Sequence, residues 1–449
     1  MNRIRGRSRG GGSGAAATPA TPSIPVTPSM LKGMLDGDSL SSSQIWSVSA
    51  TNTERRASGQ YTNFAAMAGQ PLDVRYAQGY GTSGHSAAEI QSGLAAGVSY
   101  AESAGVDYVR LGLGTNDVEG VTSIAALKTI YEDIIDQYLN CTALPKVGLN
   151  FPGPRGDWEG DTAEVRAGFI TRLYDIRTAL SELVTQFGAN VFTIDAWDVL
   201  TDPAVIDATT GLAYFPKTGY YNADGVHLLH KGAHHAAKVE KTAFYAAFNL
   251  TNPTSLPTTT GAYNANPTLA GTGGNVGTGA SGVVADNCQV VRASGSNISA
   301  VCSMVTTTIL GVSQRAQKIV ISGATAAEEM YFHAQYPINN FAFDGTVGIE
   351  FMVPIKIINP VGMKACYLYT RATVGSTYTN KDMALVTGNM VPDDDSDPIE
   401  FLARTEPLLI PAGTTTVHNL LVRMPFDGTV ASNGAEVYIG QPTAIKKVP

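Results

Sequence analysis

The chain has 449 residues, with 30 Lys and Arg against 38 Asp and Glu, a formal charge of −8. That length suits two or three domains, and the acidic balance argues against a nucleic-acid partner, whose phosphates need a basic surface. No stretch reaches the roughly 18 apolar residues that span a bilayer, so no membrane insertion is expected.

Residues 1–30 begin with Arg3, Arg5, Arg7 and Arg9 alternating with small or apolar residues, followed by a Gly run and then Ala, Thr and Pro. Such a segment buries too little apolar surface to fold alone. No apolar run follows the arginines, so it does not read as an ordinary signal peptide. It is either a disordered leader or a basic arm that orders against a larger partner.

Residues 31–250 alternate strand-like and helix-like segments. Short apolar runs at 72–77, 106–112, 146–150 and 191–196 read as strands. Between and after them, helical periodicity covers 124–138, 165–187 and 233–248; in the first of these Ile124, Leu127, Ile130, Tyr131, Ile134, Ile135 and Tyr138 share one face. Alternation of this kind predicts a parallel sheet covered on both sides, an α/β/α sandwich. Its chemistry is expected beyond the C-terminal ends of the strands.

Residues 251–280, rich in Pro, Thr, Asn and Gly, read as a linker. From 281 to 449 the pattern changes to β-type runs, among them 318–322, 347–358, 365–372 and 435–439, separated by Gly, Asn, Asp and Pro turns. Helical periodicity is nearly absent, which predicts an all-β sandwich or jelly roll. The low charged fraction of 15% and the 47 glycines fit a turn-rich β portion. Four cysteines, Cys141, Cys288, Cys302 and Cys366, show no zinc spacing and read as free buried thiols, with a Cys288–Cys302 bridge left open.

The candidate chemistry lies in the α/β part. Gly37-Asp38-Ser39-Leu40 is built from residues that any turn uses. At a turn from a first strand into a helix, however, Ser39 stands exposed above the sheet beside helix N–H groups suited to an oxyanion. A nucleophilic Ser needs a base, and the base an orienting acid. Asp224-Gly225-Val226-His227 supplies both, because three-residue spacing lets the carboxylate reach Nδ1–H and leaves Nε2 for a Ser. His230, His234 and His235, just beyond, read as structural or helix-surface residues, and a metal site is not expected there. Oxyanion donors are sought in Gly114-Thr115-Asn116-Asp117 and in Gly79-Tyr80-Gly81-Thr82-Ser83-Gly84-His85-Ser86.

On these residues the segment 31–250 resembles the SGNH/GDSL hydrolase family. Gly37-Asp38-Ser39-Leu40 matches its first block and Gly114-Thr115-Asn116-Asp117 its third. Asp224-Gly225-Val226-His227 matches its last, and Gly84, with Gly81 as the competitor, its second. The resemblance implies Ser39, Asp224 and His227 as catalytic residues, with Ser39, Gly84 and Asn116 forming the oxyanion hole. It implies an ester hydrolase that needs no metal or cofactor.

Asn266-Pro267, then Gly271-Thr272-Gly273-Gly274 and Gly277-Thr278-Gly279-Ala280-Ser281-Gly282, resemble the linker that follows such domains in bacteriophage tail-spike and tail-fibre proteins, and the β-rich remainder resembles their carbohydrate-binding jelly rolls. That resemblance implies a virion tail protein acting outside the cell as a homotrimer, bound to other tail proteins through residues 1–30. Its substrate would be acyl groups, acetyl foremost, on host cell-surface polysaccharide. The alternatives are a catalytically silent, receptor-binding virion protein and a cellular secreted GDSL lipase or esterase. Tyr331, Phe332, Tyr336, Phe341 and Phe343 read as strand core or as a sugar-binding cluster. Asp393-Asp394-Asp395-Ser396-Asp397 reads as a solvated turn or a calcium loop.

Overall fold

The computed structural model describes residues 31–42, 54–56, 60–69, 72–73, 79–251, 266–334, 348–374, 377–384, 391, 397–404, 408–409, 416–429 and 434–447. The expectations placed on 1–30, 252–265, Tyr336, Phe341, Phe343 and residues 393–396 lie outside them.

The first unit runs β1 (Leu31–Gly37), α1 (Ser39–Ser42), β2 (Glu54–Arg56), α2 (Gln60–Ala68), β3 (Leu72–Asp73), α3 (Ala87–Ala104), β4 (Tyr108–Gly112) and α4 (Ile124–Leu139). It continues through β5 (Lys146–Asn150), α5 (Ala163–Phe187), β6 (Val191–Ile194), α6 (Trp197–Leu200) and α7 (His230–Ala247). Five of its strands form a sheet in the order β3-β1-β4-β5-β6, every neighbouring pair parallel. Both faces are covered, so the strands read as continuous apolar runs rather than alternating ones. Met34, Val109 and Val147 face α3, α4 and α5, while Leu35, Tyr108 and Ile194 pack with α2 and α7. This is the expected α/β/α sandwich. The predicted strands at 106–112, 146–150 and 191–196 are β4, β5 and β6, and the predicted helices are α4, α5 and α7. Of the run at 72–77, the described strand is Leu72–Asp73 alone.

Helix ends follow local capping chemistry. Ser86 and Glu89 close a capping box on α3, and Ser123 Oγ accepts the Ala126 N–H at 3.3 Å on α4. Asp36 is an acid inside β1; burial pushes its carboxyl up, and the Tyr138 hydroxyl donates to it.

The second unit is all β. Its strands are β7 (Gly273–Val276), β8 (Ala280–Gly282), β9 (Val284–Ser294), β10 (Ser299–Ile309), β11 (Val312–Ser322), β12 (Glu328–Ala334) and β13 (Gly348–Ile358). After these come β14 (Tyr367–Val374), β15 (Thr377–Ala384), β16 (Ile399–Arg404), β17 (Leu408–Leu409), β18 (Thr416–Phe426), β19 (Ala435–Ile439) and β20 (Thr443–Lys447). One sheet has the order β16-β13-β19-β11-β10-β8, with β17 and β20 also on β13; the other has β2-β15-β14-β18-β12-β9-β7. Phe332, Leu368 and Met424 from one sheet share a core with Phe351, Ile355 and Phe401 from the other, as in a sandwich. All four cysteines are unbridged and buried, and burial pushes Cys288 up to about 12 and Cys302 up to about 11. Phe332 is core, whereas Tyr331 is half-buried with the Arg423 guanidinium 5.1 Å from its ring.

Two features depart from the sequence expectation. Residues 273–276, read as linker, form β7 alongside β9 in the β sandwich. Their glycines signal close approach rather than slack, because a Cβ on Gly274 would lie 2.0 Å from the Ala285 carbonyl oxygen. Second, β2, from the first unit, pairs in parallel with β15 of the second. Arg404, fully buried on β16, reinforces the contact by donating to the carbonyls of Gly69, at 3.0 Å, and Leu72.

His333 on β12 is half-buried, and burial lowers its imidazole from 6.5 to about 4. Between these values the unfolded chain takes up a proton that the folded chain refuses. The stability His333 contributes is therefore complete above pH 6.5 and lost as pH falls toward 4. Thermal melts of wild type and His333→Gln at pH 7 and pH 5 should show a steeper acid loss in wild type, by on the order of 1 kcal/mol. Equal losses in the two proteins would contradict this.

Candidate active site

The site forms at the C-terminal ends of β1, β4 and β5. Gly37 ends β1 opposite Gly112 of β4, at φ +123°, and a Cβ there would lie 2.1 Å from the Gly112 carbonyl oxygen. Only glycine permits that turn. Asp38 is buried and caps the short helix that follows, accepting the Leu40 N–H at 2.9 Å. Burial pushes its carboxyl up, against the Thr115 hydroxyl, the Leu40 amide and the Arg110 charge. Ser39 is the first residue of that turn and, contrary to the exposure expected from sequence, is buried at 4% exposure, with the His227 ring against its hydroxyl.

His227 reaches Ser39 from the loop before α7. The serine hydroxyl lies 3.0 Å from Nε2, and Nδ1 lies 2.9 Å from Asp224 Oδ2. Asp224 is exposed at 47% of its side chain, yet it is firmly oriented. Its Oδ1 accepts the N–H groups of Val226 at 2.9 Å and His227 at 3.0 Å, so the acid is held by the backbone of the residue it orients. Partial burial pushes the Asp224 carboxyl up, but these amides and the imidazole outweigh it, and the carboxyl sits below its usual range. The loop is tight: the Asn222 N–H donates to the His227 carbonyl at 2.8 Å and the Gly225 N–H to the Asn222 carbonyl at 3.0 Å.

Asn116 stands on the turn after β4. Its Nδ2 donates to the His85 carbonyl at 3.0 Å, which fixes the amide plane and leaves the second N–H of that nitrogen. Asp117 pins the same turn, accepting the Ala87 N–H at 3.1 Å at the start of α3 and the Tyr131 hydroxyl at 3.1 Å. Gly84 lies at φ +80° in the exposed turn between Thr82 and His85, where the Thr82 N–H is tied to the Gly37 carbonyl at 2.9 Å. Gly84 thus shares a turn with the carbonyl that holds Asn116. Direct hydrogen bonds join Ser39, His227 and Asp224; Asn116 and Gly84 are held on adjoining turns.

The neighbouring histidines have other places. His234 is buried in α7, and His235 stacks on the Tyr220 ring with centroids 5.2 Å apart. Among the described residues no group of three or more His, Cys, Asp or Glu side chains gathers as a metal site would require.

Sequence reasoning missed the surroundings. Leu40, Thr115 and Val226, the chain neighbours of Ser39, Asn116 and His227, line a pocket of about 20 Å³ together with Gly153, Pro154 and Tyr221. It also missed Arg155, whose contacts are made across distant loops.

No family model matches the chain, and no curated protein matches it. Among solved structures the chain is similar to a lipase/acylhydrolase from Enterococcus faecalis (TM-score 0.35, 17% identity, covering 50% of this chain and 100% of that one). It is also similar to a member of the lipolytic G-D-S-L family from Veillonella parvula (0.33, 14%, 48% and 98%). A third is a carbohydrate esterase family 3 protein from Talaromyces cellulolyticus (0.32, 17%, 49% and 100%). What the site can do follows from its own geometry.

Proposed function

We propose that the first unit is a serine ester hydrolase with Ser39 as nucleophile, His227 as general base and then acid, and Asp224 as the group that orients His227. The observation that carries this is the unbroken chain from Asp224 Oδ2 to His227 Nδ1, 2.9 Å, and from Nε2 to Ser39 Oγ, 3.0 Å. Asp224 fixes the tautomer with the proton on Nδ1, so Nε2 is the free base. As Oγ bonds to the ester carbon, its proton passes to Nε2 and the carbonyl electron pair moves onto oxygen. The Asn116 amide and the backbone N–H groups of Ser39 and Gly84 are the donors proposed for that oxyanion. His227 then returns the proton to the leaving alkoxide, and water cleaves the acyl-serine by the same steps in reverse.

The acyl group we propose is short, acetyl foremost. What supports this is the sequence resemblance, together with a narrow pocket beside the site lined by Leu40, Thr115 and Val226. The sequence resemblance supports a finer reading: an acyl group carried on host surface polysaccharide, and a homotrimeric virion tail protein anchored through residues 1–30.

Purified protein assayed on p-nitrophenyl esters should turn over acetate at least about 10-fold faster than octanoate in kcat/KM, a difference of about 1.4 kcal/mol. It should also release acetate from O-acetylated bacterial polysaccharide. Preference for octanoate would overturn the short-acyl reading. An inert wild type would leave the fold as a silent scaffold in an adhesin.

A further inference from the structure

We propose that Arg155 is a positioning residue that fixes the Asn116 donor relative to the His227 loop. This inference rests on the esterase reading above.

Arg155 lies on the segment after β5, with 9% of its side chain exposed. Its Nη1 donates to the Thr115 carbonyl at 2.9 Å, one residue before Asn116. Nη2 donates to Glu119 at 2.8 Å, on the far side of the same turn, and that carboxylate also accepts Trp158 Nε1 at 3.2 Å. Nε donates to Asp157 at 2.9 Å, and Nη2 pairs with the same carboxylate. One guanidinium therefore grips the Asn116 turn at two points and its own strand-end segment at a third.

That segment is in turn fastened to the His227 loop. The Gly156 N–H donates to the Gly225 carbonyl at 2.9 Å. Gly225, at φ +68°, packs backbone to backbone: a Cβ there would lie 2.4 Å from the Asp157 nitrogen. Gly225 sits between Asp224 and His227, so the path from the oxyanion donor to the general base runs Asn116, Thr115, Arg155, Gly156, Gly225, His227. A planar fork spreads fixed donors over separate nitrogens and so reaches these three acceptors in set directions, whereas a lysine ammonium offers its donors from one point on a flexible stem. Displacement of a catalytic group by about 1 Å costs roughly 10²-fold in rate.

The test measures kcat and KM for p-nitrophenyl acetate in Arg155→Ala, Arg155→Lys, Asn116→Ala and the Arg155→Ala/Asn116→Ala double variant. Rates are normalised to active sites by a fluorophosphonate burst. We expect Arg155→Ala to lower kcat about 10- to 100-fold with KM changed less than about 3-fold. Arg155→Lys should recover part of the loss. The double variant should be no more than about 2-fold slower than Asn116→Ala, because the two changes remove one function. Multiplicative losses, a rise in KM with kcat intact, or Arg155→Ala matching wild type would overturn the proposal. If Arg155→Ala fails to fold, the same cycle run with Arg155→Lys decides by the same criterion. An inert wild type would sink the esterase reading itself, whereas active wild type with indifferent Arg155 variants would sink the positioning role alone.

Discussion

Ser39→Ala should lower the turnover of p-nitrophenyl acetate by about 10⁴-fold or more, and His227→Ala by a similar factor. The two losses should not multiply. Once either partner of the 3.0 Å contact is gone, the other has no role left in the attack. Asp224→Asn should also be severe, since an amide presents an N–H to Nδ1 and favours the tautomer that blocks Nε2. Asp224 is the most exposed of the three, and its geometry comes from two backbone amides rather than from a buried pocket. Its carboxyl lies below the usual range, so the orienting charge persists as pH falls and the acid limb of the rate profile belongs to another group. Circular dichroism melts establish that the variants fold. A Ser39→Ala protein that keeps wild-type turnover would end the nucleophile assignment.

The second large effect is on stability. Arg110 on β4 and Glu240 on α7 are both fully buried, with Arg110 Nε 3.1 Å from Glu240 Oε2. The same carboxylate accepts the Tyr108 hydroxyl at 3.1 Å and Gln60 Nε2 at 2.9 Å, and Gln60 also reaches Asn150 Oδ1 at 3.2 Å. One acid thus ties α7 and α2 to the centre of the sheet. Glu240→Ala leaves the Arg110 guanidinium in the core without its direct partner, with only the more distant Asp38 charge to offset it, and should cost about 3–5 kcal/mol. Arg110→Met/Glu240→Leu removes both charges and should recover most of that loss. Because the chain has two units, the informative readout is the temperature at which the proposed ester turnover is lost, which reports on the first unit. Glu240→Ala within about 1 kcal/mol of wild type would contradict this account.

How far the sequence showed these features depends on how local their causes are. The strands β5 and β19 were legible to the residue, because apolar runs between turn formers have few other uses. The hydrogen-bonded pairing of Asp224 with His227 was legible because both partners sit on one loop, three residues apart. Ser39 was legible from its motif at a strand end. Glu240 was not, since it reads as a polar position on an amphipathic helix and its partner Arg110 lies in another element far along the chain. Arg155 escaped for the same reason: apart from Asp157, two residues along, its acceptors Thr115 and Glu119 lie on a turn brought near by the sheet order. Gly273 and Gly274 misled in the opposite direction, because a glycine that lets two backbones touch looks in sequence like a glycine that lets a linker bend.

The pairing of β2 with β15 bears on how the protein is made. Glu54–Arg56 lie parallel and in register with Asp382–Ala384, and Arg404 closes onto the carbonyls of Gly69 and Leu72. During synthesis β2, Gly69 and Leu72 leave the ribosome well before β15 and Arg404, the partners that hold them. A chain cut after residue 250 would therefore leave β2 as an unpaired strand edge and remove the Arg404 guanidinium from the carbonyls of Gly69 and Leu72.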